Sequence, residues 1–282
     1  MKLYSTPLRR GLSDVLSHVS EELLIASPFI KISEANWMTS EFSRERCDSI
    51  KLNVLTDVRS ENVLNGSLDI HALDFLIAQF SQSVLVNLPR LHAKVYIADN
   101  VFALVTSANL TSPGMQSNFD YGVGIDDEKM VRKIRSDLLA YAELGNVLSH
   151  QTLLDLIKTA DNICKEYKRV EHSAETKLKR EFKEKLQLAN HAFLKAQVGN
   201  RSAQSLFVDA IIFMLSQGPL ATKELHPRIQ QLLPDLCDDS VELVINGDHF
   251  GKRWKHAVRN AQQFLKRTNK IQFDGKVWSL AR

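Results

Sequence analysis

The chain has 282 residues, a formal net charge of +3, 44% hydrophobic and 24% charged residues. That is the profile of an ordinary soluble globular protein, with room for two modest domains or one large one. No apolar run approaches the ~20 residues of a membrane helix, and Met1 to Pro7 lacks the hydrophobic region of a signal peptide. Cys47, Cys164 and Cys237 are too few and too scattered for a disulfide framework or a zinc site. A cytoplasmic protein with no membrane partner, no metal and no other cofactor is the expectation.

In chain order, the apolar spacing predicts a helix over 10–22 leading into a strand over 23–26, and a second strand over 52–55. A helix over 69–80 follows, with Leu73, Leu76, Ile77 and Phe80 on one face, then a strand over 83–88. Residues 91–97 read as a strand, Asp99-Asn100 as a turn, and 101–105 as the returning strand of a hairpin. Leu110 to Gly114 reads as a loop and Tyr121 to Ile125 as a strand, and Asp126-Asp127 caps a helix to about 144. Strands followed by helices suggest an α/β sandwich.

From about 148 to 198 the pattern is helical and charged. Runs at 165–169 and 177–185 interleave opposite signs, as in an exposed helix with i,i+4 pairing. The expected organisation is a catalytic domain over 1–147, a helical connector over 148–199 and a further domain over 200–282. In that last part, helices are expected over 205–215, from about 220 to 233, and over 253–266. The third places Trp254, Ala257, Val258, Ala261, Phe264 and Leu265 inward. A hairpin over 270–280 turns at Asp274-Gly275.

The chemistry concentrates at His92, Lys94, Asp99, Ser107 and Asn109, spaced H-x-K-x4-D-x7-S-x-N. A phosphodiester is anionic and repels nucleophiles. Neutral imidazole can attack phosphorus, a lysine beside it offsets charge on the non-bridging oxygens, and Asn and Ser add neutral donors. Side chains alternate along a strand, so His92 and Lys94 emerge on one side, and the hairpin returns Ser107 and Asn109 to their level.

This constellation resembles the HKD motif of the phospholipase D superfamily, H-x-K-x4-D-x6-G-S-x-N, often followed by N-x-E. The likeness extends over roughly residues 1–140, through Leu23 to Ile30 and Ile50 to Asp57. It implies a phospholipase D-like α/β/α sandwich. It puts His92 at the nucleophile, Lys94, Ser107 and Asn109 at the phosphate, and Asp99 at the motif aspartate, in a structural or orienting role. Asn118 and Asp120 stand at the N-x-E positions, where Asp120 would orient a histidine. Thr106 replaces the motif glycine and Asp120 the glutamate. The covalent mechanism needs a second histidine as general acid and base. One motif is present, and single-motif members of the family use a homodimer, which the resemblance implies here.

Three helices followed by a hairpin resemble a winged helix-turn-helix domain, its third helix entering the major groove. Lys252, Arg253, Lys255, His256, Arg259, Asn260, Gln263 and Arg267, with Lys270 and Lys276 on the hairpin, supply donors for phosphates and base edges. A metal-independent DNA endonuclease is therefore the expected activity, in a restriction or anti-phage defence setting with a possible defence-system partner protein. The competing expectations are a phospholipase, and a non-catalytic or partner-activated DNA-binding subunit.

Overall fold

The computed structural model describes residues 1–171, 202–245 and 248–281, with 185, 186, 188, 189, 192, 193, 196 and 199 between them. They fall into two compact units, Met1–Gly199 and Asn200–Arg282. Most of the charged run at 177–185 lies outside the described residues.

Unit 1 opens with β1 (Lys2–Ser5), α1 (Arg9–His18), β2 (Glu22–Ala26), α2 (Ile32–Ser40), α3 (Arg44–Ser49) and β3 (Lys51–Thr56). It continues through α4 (Ser60–Leu64), α5 (Ile70–Gln79), β4 (Gln82–Asn87), β5 (Val95–Ala98) and β6 (Phe102–Thr106). A π-helical turn (Pro113–Ser117) leads to β7 (Tyr121–Ile125), α6 (Glu128–Ala142), β8 (Asn146–Val147) and α7 (His150–Glu171). The capping signal at Asp127 acts as expected, and Asp69 supplies a second cap. Asp69 accepts from His71 N at the start of α5, and Asp127 from Met130 N at the start of α6.

The strands form one mixed sheet in the order β1-β7-β6-β5-β2-β3-β4-β8. β2, β3 and β4 are parallel, and the remaining pairs are antiparallel. Alternate side chains feed two layers. Leu23 and Ile25 of β2 pack with Leu12, Val15 and Leu16 of α1 and Leu73 and Leu76 of α5. Leu24 and Ala26 of the same strand pack with Val131 and Leu138 of α6. Apolar side chains on both faces of the central strands thus need helices on both sides, giving an α/β/α fold.

Several elements differ from expectation. β5 starts at Val95, so His92 and Lys94 precede the strand, although Thr106 N still donates to Lys94 O at 3.0 Å. β1, α2, α3 and α4 carry no strong local signal and take their form from packing. The helix after residue 148 is no free connector at its start, because Leu153, Leu156, Ile157 and Ala160 of α7 join the core of unit 1.

Unit 2 contains α8 (Ala203–Ser216), α9 (Thr222–Leu232), a 3-10 turn (Pro234–Leu236), β9 (Glu242–Ile245), β10 (Asp248–Lys252), α10 (Arg253–Arg267), β11 (Ile271–Phe273) and β12 (Trp278–Leu280). Its core joins Phe207 and Ile211 of α8, Leu225 and Ile229 of α9, Trp254, Val258, Ala261 and Leu265 of α10, and Trp278. Leu220, between α8 and α9, bridges to Trp278 through two backbone hydrogen bonds of 3.0 and 2.8 Å. The β9–β10 hairpin fills the stretch between the 3-10 turn and α10. The turn at Asp274 is a four-residue connection in which Asp274 Oδ1 accepts from Lys276 N and Val277 N, both at 2.8 Å.

Phe264, expected inward, is exposed, and Gln262 is buried instead. The buried stripe runs 254, 258, 261, 265. Position 262 lies within it, four residues after Val258 and three before Leu265, while 264 falls off its edge. Among the described residues no helix is long and apolar enough to cross a membrane.

Candidate active site

The parallel strands β2, β3 and β4 end on one edge of the sheet, and β5 begins there, because Ala26 pairs with Val95. His92 and Lys94 therefore sit where strand C-termini open into loops, the usual place for a site in such sheets. His92 is exposed, whereas Lys94 is only 7% exposed. The Lys94 ammonium donates to His92 O at 2.8 Å and lies 3.1 Å from Nε2 and 3.2 Å from Nδ1 of the imidazole. The two side chains meet although neither residue lies within β5. Burial lowers the Lys94 pKa from the ordinary lysine value, and the negative charge of Asp120 acts in the opposite direction.

Ser107, Ala108, Asn109 and Leu110 form a loop fixed at every step. Ser107 N donates to Tyr121 O at 3.1 Å. Thr106 Oγ1 donates to Tyr121 O at 2.8 Å and accepts from Ala108 N at 3.1 Å. The residue that replaces the motif glycine thus turns the chain with its own hydroxyl. The buried Tyr96 hydroxyl donates to Ala108 O at 3.1 Å, and burial holds its pKa far above the usual phenol value. Leu110 N donates to Ser27 Oγ at 3.1 Å. Asn109 Oδ1 is buried with no hydrogen-bond partner among the described residues. Such an orphan acceptor is costly and calls for a donor from outside the loop.

Asp120 accepts from Ser107 Oγ at 2.5 Å rather than from His92. Its backbone N–H donates to Thr6 Oγ1 at 2.9 Å, and Thr6 Oγ1 also donates to Asn118 O. The expected contact between Asp120 and the imidazole is therefore absent among the described residues. A shorter acid in the place of glutamate stays with the nearby hydroxyl. Thr6, Ser27 and Tyr96 hold this loop, and nothing in their spacing marks them.

Asp99, grouped with the catalytic residues on sequence, stands apart from them. It lies beyond the opposite end of β5, about 17 Å from Lys94 at strand rise. Its carboxylate accepts from the backbone N–H groups of Ser20 (2.9 Å), Glu21 (3.0 Å) and Glu22 (2.6 Å). Its work is to close the entry to β2.

In unit 2, Arg253, Arg259, Asn260, Gln263, Arg267, Lys270 and Lys276 are exposed, and Lys252, Lys255 and His256 are half-buried. Lys252 is 3.5 Å from Glu242, Lys255 lies over the Trp254 ring, and His256 Nε2 is 2.7 Å from Phe250 O. Among the described residues no cluster of three or more His, Cys, Asp or Glu is placed to hold a metal ion.

Residues 12–141 match the family model described as "Cardiolipin synthase, PLD-like domain". The match covers just under half of the chain and contains His92, Lys94, Ser107, Asn109 and Asp120. It supports the reading of this part as a PLD-like domain. No curated protein matches the chain. Among solved structures, NucT from Helicobacter pylori is 21% identical, with 52% of this chain and 98% of that one covered and a TM-score of 0.41. Nuc from Salmonella typhimurium, titled a phospholipase D family member, is 17% identical, with 52% and 96% covered and a TM-score of 0.44. Phosphatidylserine synthase from Haemophilus influenzae is 14% identical, with 60% and 46% covered and a TM-score of 0.46. Likenesses of that size say nothing about substrate.

Proposed function

We propose that the PLD-like segment is a metal-independent phosphodiesterase acting on DNA. The observation that carries this reading is the buried Lys94 ammonium held 3.1 Å from His92 Nε2. A fixed cation beside an exposed imidazole suits attack on an anionic phosphorus. His92 attacks phosphorus, forming a P–N bond as the P–O bond to the leaving alcohol breaks. A second histidine gives that oxygen its proton, then takes one from water as the water displaces the phosphohistidine. The products are a phosphomonoester and an alcohol. Lys94 and Asn109 hold the non-bridging oxygens, and Ser107 joins them by turning its one hydroxyl proton from Asp120 to the phosphate.

The second histidine is His92 of another copy of the chain, in a twofold pair. Asp120 acts through Ser107 and through its charge on Lys94.

Unit 2 is the DNA-binding part. Helix, bridging strand, two further helices and a terminal hairpin follow the order of a winged helix, with β9–β10 inserted before α10. Lys252, Arg253, Lys255, His256, Arg259, Asn260, Gln263 and Arg267 are on α10 or at its start, with Lys270 and Lys276 on the hairpin. A cytoplasmic restriction or anti-phage role, with a defence-system partner, fits this pairing of parts.

The test is cleavage of labelled DNA in the presence of chelator. Wild type is expected to cut and His92→Ala to bind without cutting. An acid-labile adduct should be trapped on wild type alone. Cleavage abolished by chelator and restored by magnesium would sink the reading. So would persistent cutting by His92→Ala.

A further inference from the structure

The outer side of α10 is continued by the β9–β10 hairpin. The buried stripe of the helix runs through Trp254, Val258, Ala261 and Leu265. At about 100° per residue, His256, Asn260, Gln263 and Arg267 run down the opposite side. Asn260, Gln263 and Arg267 are exposed. The helix carries Arg253, Lys255, Arg259, Lys266 and Arg267 and neither Asp nor Glu. A polyanion therefore meets no like charge along it.

His256 holds Phe250 at the head of this side. Its Nε2 lies 2.7 Å from Phe250 O, and because a carbonyl only accepts, the imidazole is the donor. Gly251, with φ of 84°, turns the chain between β10 and the helix, and Arg253 N donates to Val241 O at 3.0 Å. Glu242 of β9 takes Lys252 Nζ at 3.5 Å and lies 2.6 Å from His249 Nδ1. These contacts tie the hairpin to the first turn of α10. Phe250 is nonetheless 50% exposed and outside the core of unit 2. A single exposed apolar residue is ordinary. This one is anchored through its backbone to the outer side of a basic helix, where that side begins.

We infer that Phe250 packs against the C5-methyl group of a thymine in the major groove of duplex DNA, which makes unit 2 selective for thymine at one position. This rests on the DNA-binding reading of unit 2 above and adds a specificity residue to it. The N-terminal residues of a groove-bound helix face the base edges. The thymine methyl is the apolar group that B-DNA presents there. His256 is a positioning residue, since its ring is committed to the Phe250 carbonyl and sets where the phenyl ring stands. A phenyl ring neutralises no phosphate, so general affinity for DNA stays with the basic side chains.

The test uses the full-length chain carrying His92→Ala, so that bound DNA is not cut. Duplexes that it selects from a random-sequence pool are remade with each thymine replaced in turn by deoxyuridine, which lacks the methyl group. At one thymine the replacement should weaken binding about fourfold, the effect of burying one carbon group. Phe250→Ala on the same background should be indifferent to that replacement, with the salt dependence of binding unchanged. Phe250→Gln serves in its place if Phe250→Ala does not fold. His256→Ala should lose the same discrimination, and His256→Gln, which retains a side-chain N–H, should recover it. Equal effects of the methyl with and without Phe250, or no thymine that responds, would overturn the contact while leaving DNA binding intact. Full discrimination in His256→Ala would remove the positioning role. Unaltered discrimination in Phe250→Ala together with a smaller mass in sedimentation would give the ring to a protein contact instead. Failure to bind any duplex would end the DNA-binding reading of unit 2 and the contact with it.

Discussion

Ser107 Oγ donates to Asp120 Oδ1 at 2.5 Å, and the charge of that carboxylate raises the Lys94 pKa against the lowering effect of burial. Asp120 therefore tunes the cation rather than the imidazole. Replacing it with Asn removes the opposing charge and lowers the Lys94 pKa further. The alkaline fall in kcat should begin at lower pH in Asp120→Asn than in wild type. A pH profile of turnover checks this, and superimposable alkaline limbs would assign Asp120 elsewhere.

Lys94 should itself be decisive. Lys94→Met is expected to lower kcat by about 10²–10³, the scale of one preorganised charge-stabilising group. Because burial depresses its pKa below the ordinary 10.5, wild-type turnover should fail on the alkaline side before that value. A guanidinium stays charged, so Lys94→Arg should flatten that limb at reduced kcat. Stability runs the other way. Between the depressed folded pKa and the unfolded one, the unfolded chain holds the extra proton, so stability rises with pH across that window.

Asp99 makes a contrasting prediction. It receives three backbone N–H groups and touches nothing at the site. Asp99→Ala is expected to cost about 2 kcal/mol of stability, from lost hydrogen bonds to a charged acceptor. Turnover per folded molecule should be unchanged well below the melting temperature. Denaturant unfolding beside single-temperature kinetics separates the two, and a kcat loss without destabilisation would return Asp99 to the chemistry.

Gly114 supports Asn109 from below. A Cβ there would be 2.7 Å from Asn109 O and 3.0 Å from Asn109 N, both backbone atoms that cannot swing aside. Gly114→Ala should displace the loop that carries Asn109, lower kcat at least tenfold and destabilise unit 1 by about 1–3 kcal/mol. Wild-type kinetics in this variant would show that the loop position does not matter.

His226 sets an acid limit on unit 2. It is buried between α9 and α10, 3.5 Å from Gln262 Oε1. Burial lowers its pKa, Gln262 acts to raise it, and Arg259 and Lys255 add to the lowering. Below the ordinary value of 6.5 the unfolded chain takes up a proton before the folded unit does, so stability falls as pH falls. The transition reporting Trp254 and Trp278 should move to lower temperature from pH 7 to pH 5 in wild type. In His226→Gln that pH dependence should be smaller. Equal pH dependence in both proteins would exonerate the histidine.

The chain alone made the local facts legible. Short apolar runs at 23–26 and 52–55 placed strands, Asp127 capped a helix, and the stripe through Trp254, Val258, Ala261 and Leu265 laid out α10. The order and spacing of His92, Lys94, Ser107 and Asn109 named the candidate site, because strand alternation and a hairpin are short-range rules. Only the tertiary structure decided the rest. Asp99 and Lys94 are five residues apart, yet an extended strand carries them to opposite ends, and Asp99 meets Ser20 to Glu22 across the sheet. Asp120 chose Ser107 because the turn braced by Thr6 brought the hydroxyl within reach. Asp57 accepts from the Arg59 side chain and from the Arg90 backbone because β3 and β4 run parallel and end together. Contacts between residues thirty or a hundred positions apart leave no periodic trace in a sequence. They exist only once burial of the two sheet faces has fixed which strand lies beside which.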